Sequence, residues 1–229
     1  MDLREYIKPQ YYCNRELSWM GFNERVLSEA RDKSIPLFER LKFLSCSSFN
    51  LAEGYILRVA SLKDMVHAKY TKPDIAGLSP KEQLTQLAPA TRNLIQTQYS
   101  TYNRSLLPAL KKEGLIVVES HEDMNKEQKA FADQYFEETI YPVLTPMAMD
   151  SARPFPLVRN KTLNIGALIA KKGKKEKEEL EFATVQVPSV LPRIVEIPCQ
   201  KEGKKAIILL EEIIERNIGK LFLSNQVVC

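Results

Sequence analysis

The amino-acid sequence predicts an α+β fold: an N-terminal all-helical bundle followed by a truncated mixed α/β head domain. Three observations predict it. Apolar residues recur at helical spacing from Asn14 to about position 112. Beyond Gly114 the texture changes to short β-branched runs separated by turn residues. The chain then stops soon after Leu221-Phe222-Leu223 with no polar cap, which reads as an end inside a domain. The change of texture at 107–114 sets the domain boundary, giving a helical domain over 1–110 and an incomplete mixed domain over 111–229.

The helices follow in order. From Asn14, one stripe holds Leu17, Met20 and Leu27 and a second holds Trp19, Phe22, Val26 and Ala30. Asp32-Lys33-Ser34-Ile35-Pro36 breaks this helix, because proline fixes its own φ and restricts its predecessor. A second helix begins near Pro36 with Leu37, Leu41 and Leu44 on one face. Residues 45–49 are small and polar and read as irregular. A third helix is expected over 51–70, a loop with Gly77 over 71–80, and a long helix over 80–112 bent at Pro89. Gly114 ends it. Strands are expected at 115–118, 162–170, 181–187, 193–197 and 205–208, with helices at 125–139 and 209–220. The stretch 142–157 holds four prolines and shows no period.

Composition narrows the function. The hydrophobic fraction of 44% is close to the roughly 45–50% of globular chains, so disorder is not the reading. The net charge of +4 is too mild to argue nucleic-acid binding. It is uneven: residues 151–205 hold 12 Lys/Arg against 6 Asp/Glu, and the remainder of the chain is therefore slightly acidic. Four cysteines without a C-x-x-C pair, beside two histidines, give neither a zinc site nor a disulfide framework. That pattern, with no secretory leader and no membrane-length apolar run, predicts a cytoplasmic protein.

The motifs are sparse. Neither a P-loop nor a G-x-G-x-x-G fingerprint is present. His67 falls on a helix and His121 in a loop, and neither has a placed partner that would make it a nucleophile. Asn50 and Glu53 have the spacing of a capping box, so Asn50 reads as a helix N-cap. An asparagine amide also donates and accepts at once, which suits a nucleobase edge, and a helix N-terminus favours anions, so both readings stand together. Trp19, the single tryptophan, reads as core. Arg15 and Arg58 are candidate polyanion contacts that read equally as surface cations. Lys171, Lys172, Lys174 and Lys175 form the tip between two strands, either a solvated hairpin or a polyanion contact acting through counterion release.

Spaced blocks of the sequence resemble the bacterial polyphosphate kinases of the first type. Asn14-Arg15-Glu16-Leu17-Ser18-Trp19, with Phe22-Asn23 and Arg25-Val26-Leu27, resembles their opening. Pro36-Leu37-x-Glu39-Arg40-Leu41-Lys42-Phe43-Leu44, Asn50-Leu51-x-Glu53 with Arg58-Val59-Ala60, Tyr141 to Pro146, and Pro154-Phe155-Pro156 follow in the same order. The resemblance implies reversible transfer of the terminal phosphate of ATP to polyphosphate, with Mg²⁺, through a phosphohistidine. It implies a helical N-terminal domain that lines one side of the adenine pocket and a head domain that helps form a homodimer. The family's nucleotide-contacting asparagine corresponds to Asn50. Where the family block reads N-L-D-E-F, this chain has Ala52 and Gly54, which removes a carboxylate and an aromatic; Ala152-Arg153 replaces a small-His pair. The phosphohistidine and the metal-binding residues of the family have no counterpart here, so the chain is expected to be inactive alone, with no metal ligand of its own. Two other readings are kept: a non-catalytic interaction or dimerisation fragment with apolar surface near 221–228, and a polyanion-binding module.

Overall fold

Asn14 starts the first helix. Its Oδ1 accepts from the backbone N–H of Glu16 (3.1 Å) and Leu17 (2.9 Å), satisfying two of the orphan donors at the N-terminus of α1, Arg15–Arg31. Its Nδ2 donates to Asp74 at 2.7 Å and so fastens the loop around Asp74 to the start of α1. The computed structural model describes residues 6–149, 155, 157–171, 180–223 and 225–228. They fall into two compact units, 1–112 and 113–229, in an α+β fold.

The first unit is helical. After α1 come α2, Leu37–Gly54, a π-turn at Tyr55–Val59, and α3, Ala60–His67, joined end to end without a break. Residues 45–49 are therefore helical, and Asn50 lies inside α2 rather than at a helix start. Both expectations are corrected by packing. Ser47 is completely buried: its Oγ accepts from Gln98 at 2.9 Å and its carbonyl from Asn23 at 3.0 Å. The small polar residues that suggest a loop are a close contact between helices, with their polar groups paired internally.

The next helix, α4, spans Pro80–Thr101 and opens on a capping box between Ser79 and Glu82. It runs through Pro89, then a π-turn at Tyr102–Leu106 leads into α5, Leu107–Lys112. The core of the unit is Met20, Leu27, Ala30, Leu62, Leu87 and Leu94, with Leu17, Trp19 and Leu51 packed against it. These are the stripes of α1 to α4 turned inward.

The second unit carries two sheets. The first has the order β1 (Leu115–Val118), β6 (Lys205–Leu209), β5 (Ile194–Ile197), with β1 parallel and β5 antiparallel to β6. The second is antiparallel in the order β2 (Pro146–Ala148), β4 (Leu180–Gln186), β3 (Asn164–Lys171), β7 (Asn225–Val227). A capping box at Asn125 and Gln128 starts α6, Lys126–Tyr135, and β6 leads directly into α7, Leu210–Arg216. Phe136, Ile140, Ile169, Val185, Ile208 and Ile213 are fully buried in one core.

Two elements lie outside the strand expectations. The proline-rich 142–157 contains β2, and β7 is too short to show a period. The apolar surface expected at 221–228 is divided: Phe222 is buried and Leu221 and Val227 pack against the core, while Leu223 and Val228 are exposed.

Candidate functional site

Asn50 sits half-buried on α2. Its Nδ2 donates to Oδ1 of Asn23 at 3.4 Å, and Asn23, completely buried, donates its own Nδ2 to the Ser47 carbonyl. With the Gln98 to Ser47 bond, a chain of amide and hydroxyl contacts crosses α1, α2 and α4 and fixes the Asn50 side chain from behind. Among the described residues, the Asn50 Oδ1 has no hydrogen-bond partner. A braced amide with a free acceptor is suited to an external donor such as an exocyclic amine. The role of Asn50 as a helix cap lapses, and with it the anion-binding helix end.

Two turns before Asn23 on α1, Glu16 is buried at 5% exposure. Its Oε1 accepts from Arg15 Nε (2.8 Å) and Nη2 (2.7 Å), and its Oε2 accepts from Arg58 Nη1 at 3.2 Å. A buried carboxylate requires such partners. The Arg58 guanidinium also lies over the Trp19 ring, 5.7 Å from its centroid. The indole rests on Gly54: a Cβ there would overlap Cη2 and lie 2.6 Å from Cζ3. Tyr55 closes the group by donating to Thr91 at 2.9 Å, leaving about 10 Å³ of free space. Trp19 is thus packing, not a stacking platform. Gly54 makes room for the indole, so aromatic mass from α1 stands where the chain lacks an aromatic of its own.

Of the basic hairpin, Lys171 is the last residue of β3, and Lys172, Lys174 and Lys175 lie outside the described residues. The ladder on either side is regular, from Asn164↔Gln186 to Ala170↔Leu180.

His67 is exposed at the end of α3. His121 is not a free loop residue: its backbone N–H donates to Glu212 at 2.9 Å, and its Nδ1 lies 3.3 Å from the same carboxylate. Glu215 joins them, one ligand atom from each residue lying within 4.8 Å of the others. The sequence spacing gives no sign of this group, because 91 residues separate His121 from Glu212. It does not fit Mg²⁺, which takes a shell of oxygen ligands, since one of the three donors is an imidazole already engaged by Glu212.

Partial desolvation of a side chain that is still largely exposed, and then the neighbouring Glu212 carboxylate, push the Glu215 carboxyl above its ordinary range, Glu211 adding to this and His121 opposing it. Its stabilising contribution is therefore present below its unfolded pKa and is lost as pH rises through the folded value. Glu215→Gln should raise the melting temperature at pH 7, and the gain should disappear below about pH 4, where both forms are neutral. Thermal melts of the two proteins across pH 3–8, read by circular dichroism, check this.

The fold is an α+β pair, a helical unit followed by a mixed unit, and it is shared with a solved phosphotransferase chain. That chain, described as polyphosphate kinase from Porphyromonas gingivalis, superposes with a TM-score of 0.82 at 28% identity over 95% of this chain and 31% of its own length. Residues 12–118 match the polyphosphate kinase N-terminal domain and residues 127–229 the polyphosphate kinase middle domain. The chain belongs to the polyphosphate kinase family and comprises its N-terminal and middle domains. Among curated relatives, the polyphosphate kinase of Lactiplantibacillus plantarum is 48% identical over 96% of this chain, and that of Bacillus anthracis 47% over 95%. The chain spans about 30% of the length of these relatives.

Proposed function

We propose that this chain is the nucleotide-facing, non-reacting part of an ATP–polyphosphate phosphotransferase, with Asn50 contacting the adenine of ATP. The observation that carries the reading is the free Oδ1 of an amide braced by the buried Asn23–Ser47–Gln98 chain. Positioning and charge stabilisation dominate phosphoryl transfer, so a wall that only orients the nucleotide contributes without reacting. Mg²⁺ would neutralise phosphate charge in the complete enzyme. The chain itself offers the amide and the helical frame behind it. Neither histidine is set up as a phosphoryl acceptor: His67 is exposed and His121 is held by Glu212. The chain alone is therefore inactive in polyphosphate synthesis.

Calorimetric titration with a non-hydrolysable ATP analogue tests the contact. Asn50→Ala should weaken binding about tenfold, or about 1.4 kcal/mol. Equal affinity of the two proteins would remove Asn50 from the pocket.

A second reading, self-association through the middle domain, is favoured by β7. This strand is the last in its sheet, pairs only with β3 among the described residues, and is flanked by exposed Leu223 and Val228. Light scattering should show a mass that rises with concentration. A constant monomer mass would remove the reading.

A further inference from the structure

On the opposite end of α1 and α4 from Asn14, the helical unit holds a cleft of about 520 Å³. Arg31 from the last turn of α1 and Arg104 from the Tyr102–Leu106 π-turn both line it, with Gln96 and Ser100 of α4 and Ser105. Among the described residues its lining holds no carboxylate. Neither Arg31 nor Arg104 forms an ion pair or hydrogen bond within the described residues, and the same is true of the Gln96 amide and the Ser100 hydroxyl. Four donor groups without partners among the described residues therefore line one space. The cleft's threonines, by contrast, are committed: Thr97 donates to the Asn93 carbonyl at 2.8 Å and Thr101 to the Thr97 carbonyl at 2.7 Å.

A third guanidinium lies behind the wall. Arg40 is 6% exposed, yet its hydrogen bonds go to neutral acceptors, the Ala30 carbonyl at 2.9 Å and the Ser105 Oγ at 2.8 Å. Because Ser105 accepts from Arg40, its own proton is left to donate elsewhere, and the cation strengthens that donation. Two acids are placed near these arginines. Asp32 interacts with Arg40, but its carboxylate is engaged by Ser34. Glu24 lines the adjoining groove beside Arg31. A basic residue at the end of α1 also suits the helix dipole; that accounts for Arg31, and the bonds to Ala30 and Ser105 give Arg40 a structural role, but Arg104 has neither reason to stand here. The π-turn supplies Arg104 and Ser105 together, and such turns recur at functional sites.

We propose that this cleft binds a phosphate-class oxyanion, either orthophosphate or the phosphoryl units of an oligophosphate. Guanidinium forks match the oxygens of phosphate in pairs. A monocarboxylate brings two oxygens and one charge, too few for the donors present, whereas a phosphate group brings three or more oxygens and up to about two charges. The inference rests on the arginines and not on Asn50, so the nucleotide contact and the anion cleft stand or fall separately.

The test uses the 229-residue chain, titrated by calorimetry with orthophosphate and with tripolyphosphate, without Mg²⁺ and at fixed ionic strength. Arg31→Ala/Arg104→Ala, at two exposed positions without partners, should keep the helical circular dichroism of the parent and weaken binding at least about tenfold. Glu24→Gln should strengthen it, and Arg92→Ala, an exposed arginine on α4 outside the cleft, should leave it unchanged. Tripolyphosphate binding tighter than orthophosphate identifies a chain of phosphoryl units as the ligand; equal binding identifies a cradle for one phosphate. Absence of saturable binding of either anion, affinity retained in the double variant, or an equal loss in Arg92→Ala would overturn the proposal.

Discussion

Arg40→Met should destabilise the helical unit by about 2–4 kcal/mol, although methionine keeps most of the stem volume. The Arg40 Nε caps the Ala30 carbonyl, one of the last acceptors of α1 without a helical donor, and its Nη2 holds Ser105 in the π-turn. Methionine leaves that carbonyl without its donor in a buried setting, and each such group costs about 1–3 kcal/mol. Losing the desolvated charge offsets part of this, which is why the estimate stays below the sum of the two bonds. The single tryptophan lies in this unit, so urea unfolding followed by its fluorescence reports the unit directly. A midpoint unchanged from the parent would show that the two bonds contribute nothing net.

Gly54→Ala should also destabilise, by about 2 kcal/mol, against the sign that helix propensity gives. On propensity alone alanine at an interior helical position gains about 1 kcal/mol over glycine. Here the added methyl group would overlap the six-membered ring of Trp19 at Cη2 and Cζ3, and the Arg58 guanidinium also lies over that indole, 5.7 Å from its centroid. The ring must shift or the helices must part. Trp19→Leu should relieve the clash, so a double-mutant cycle read by circular dichroism should give a coupling of at least about 1 kcal/mol. Additive effects, or a Gly54→Ala protein more stable than its parent, would contradict this packing.

The fold class was legible because its signals are long and periodic. The stripes of α1 and α4 and the alternation of β3 and β4 each extend over enough residues to decide the element. The interruption expected at 45–49 shows the limit of local chemistry. Small polar residues read as a loop, and Asn50 with Glu53 reads as a capping box. The true boxes, Ser79 with Glu82 and Asn125 with Gln128, have the same spacing. Local pattern cannot separate a helix start from a helix interior where serine and asparagine pack against a neighbouring helix. A usable signal was present: Leu37, Leu41, Leu44 and Leu51 keep one helical phase across the supposed break.

The candidate site was legible only at its exposed member. Family resemblance singles out Asn50, but its bracing residues lie 24 to 51 positions apart along the chain, and nothing local marks them. The same holds for Arg40 and Ser105, 65 residues apart, and for the partner of His121. A buried polar contact between distant helices has no periodicity of its own; it appears only once the apolar stripes have brought the helices together.

The most direct test of the account is whether Asn50 meets a base. Adenosine, which carries no phosphate and so does not engage an oxyanion cleft, should be added to the isotopically labelled chain and followed by NMR. The account predicts shifts centred on the Asn50 side-chain amide, extending to Asn23 and lost in Asn50→Ala. A folded chain whose Asn50 amide does not move at saturating adenosine, or whose shifts lie elsewhere, would contradict it.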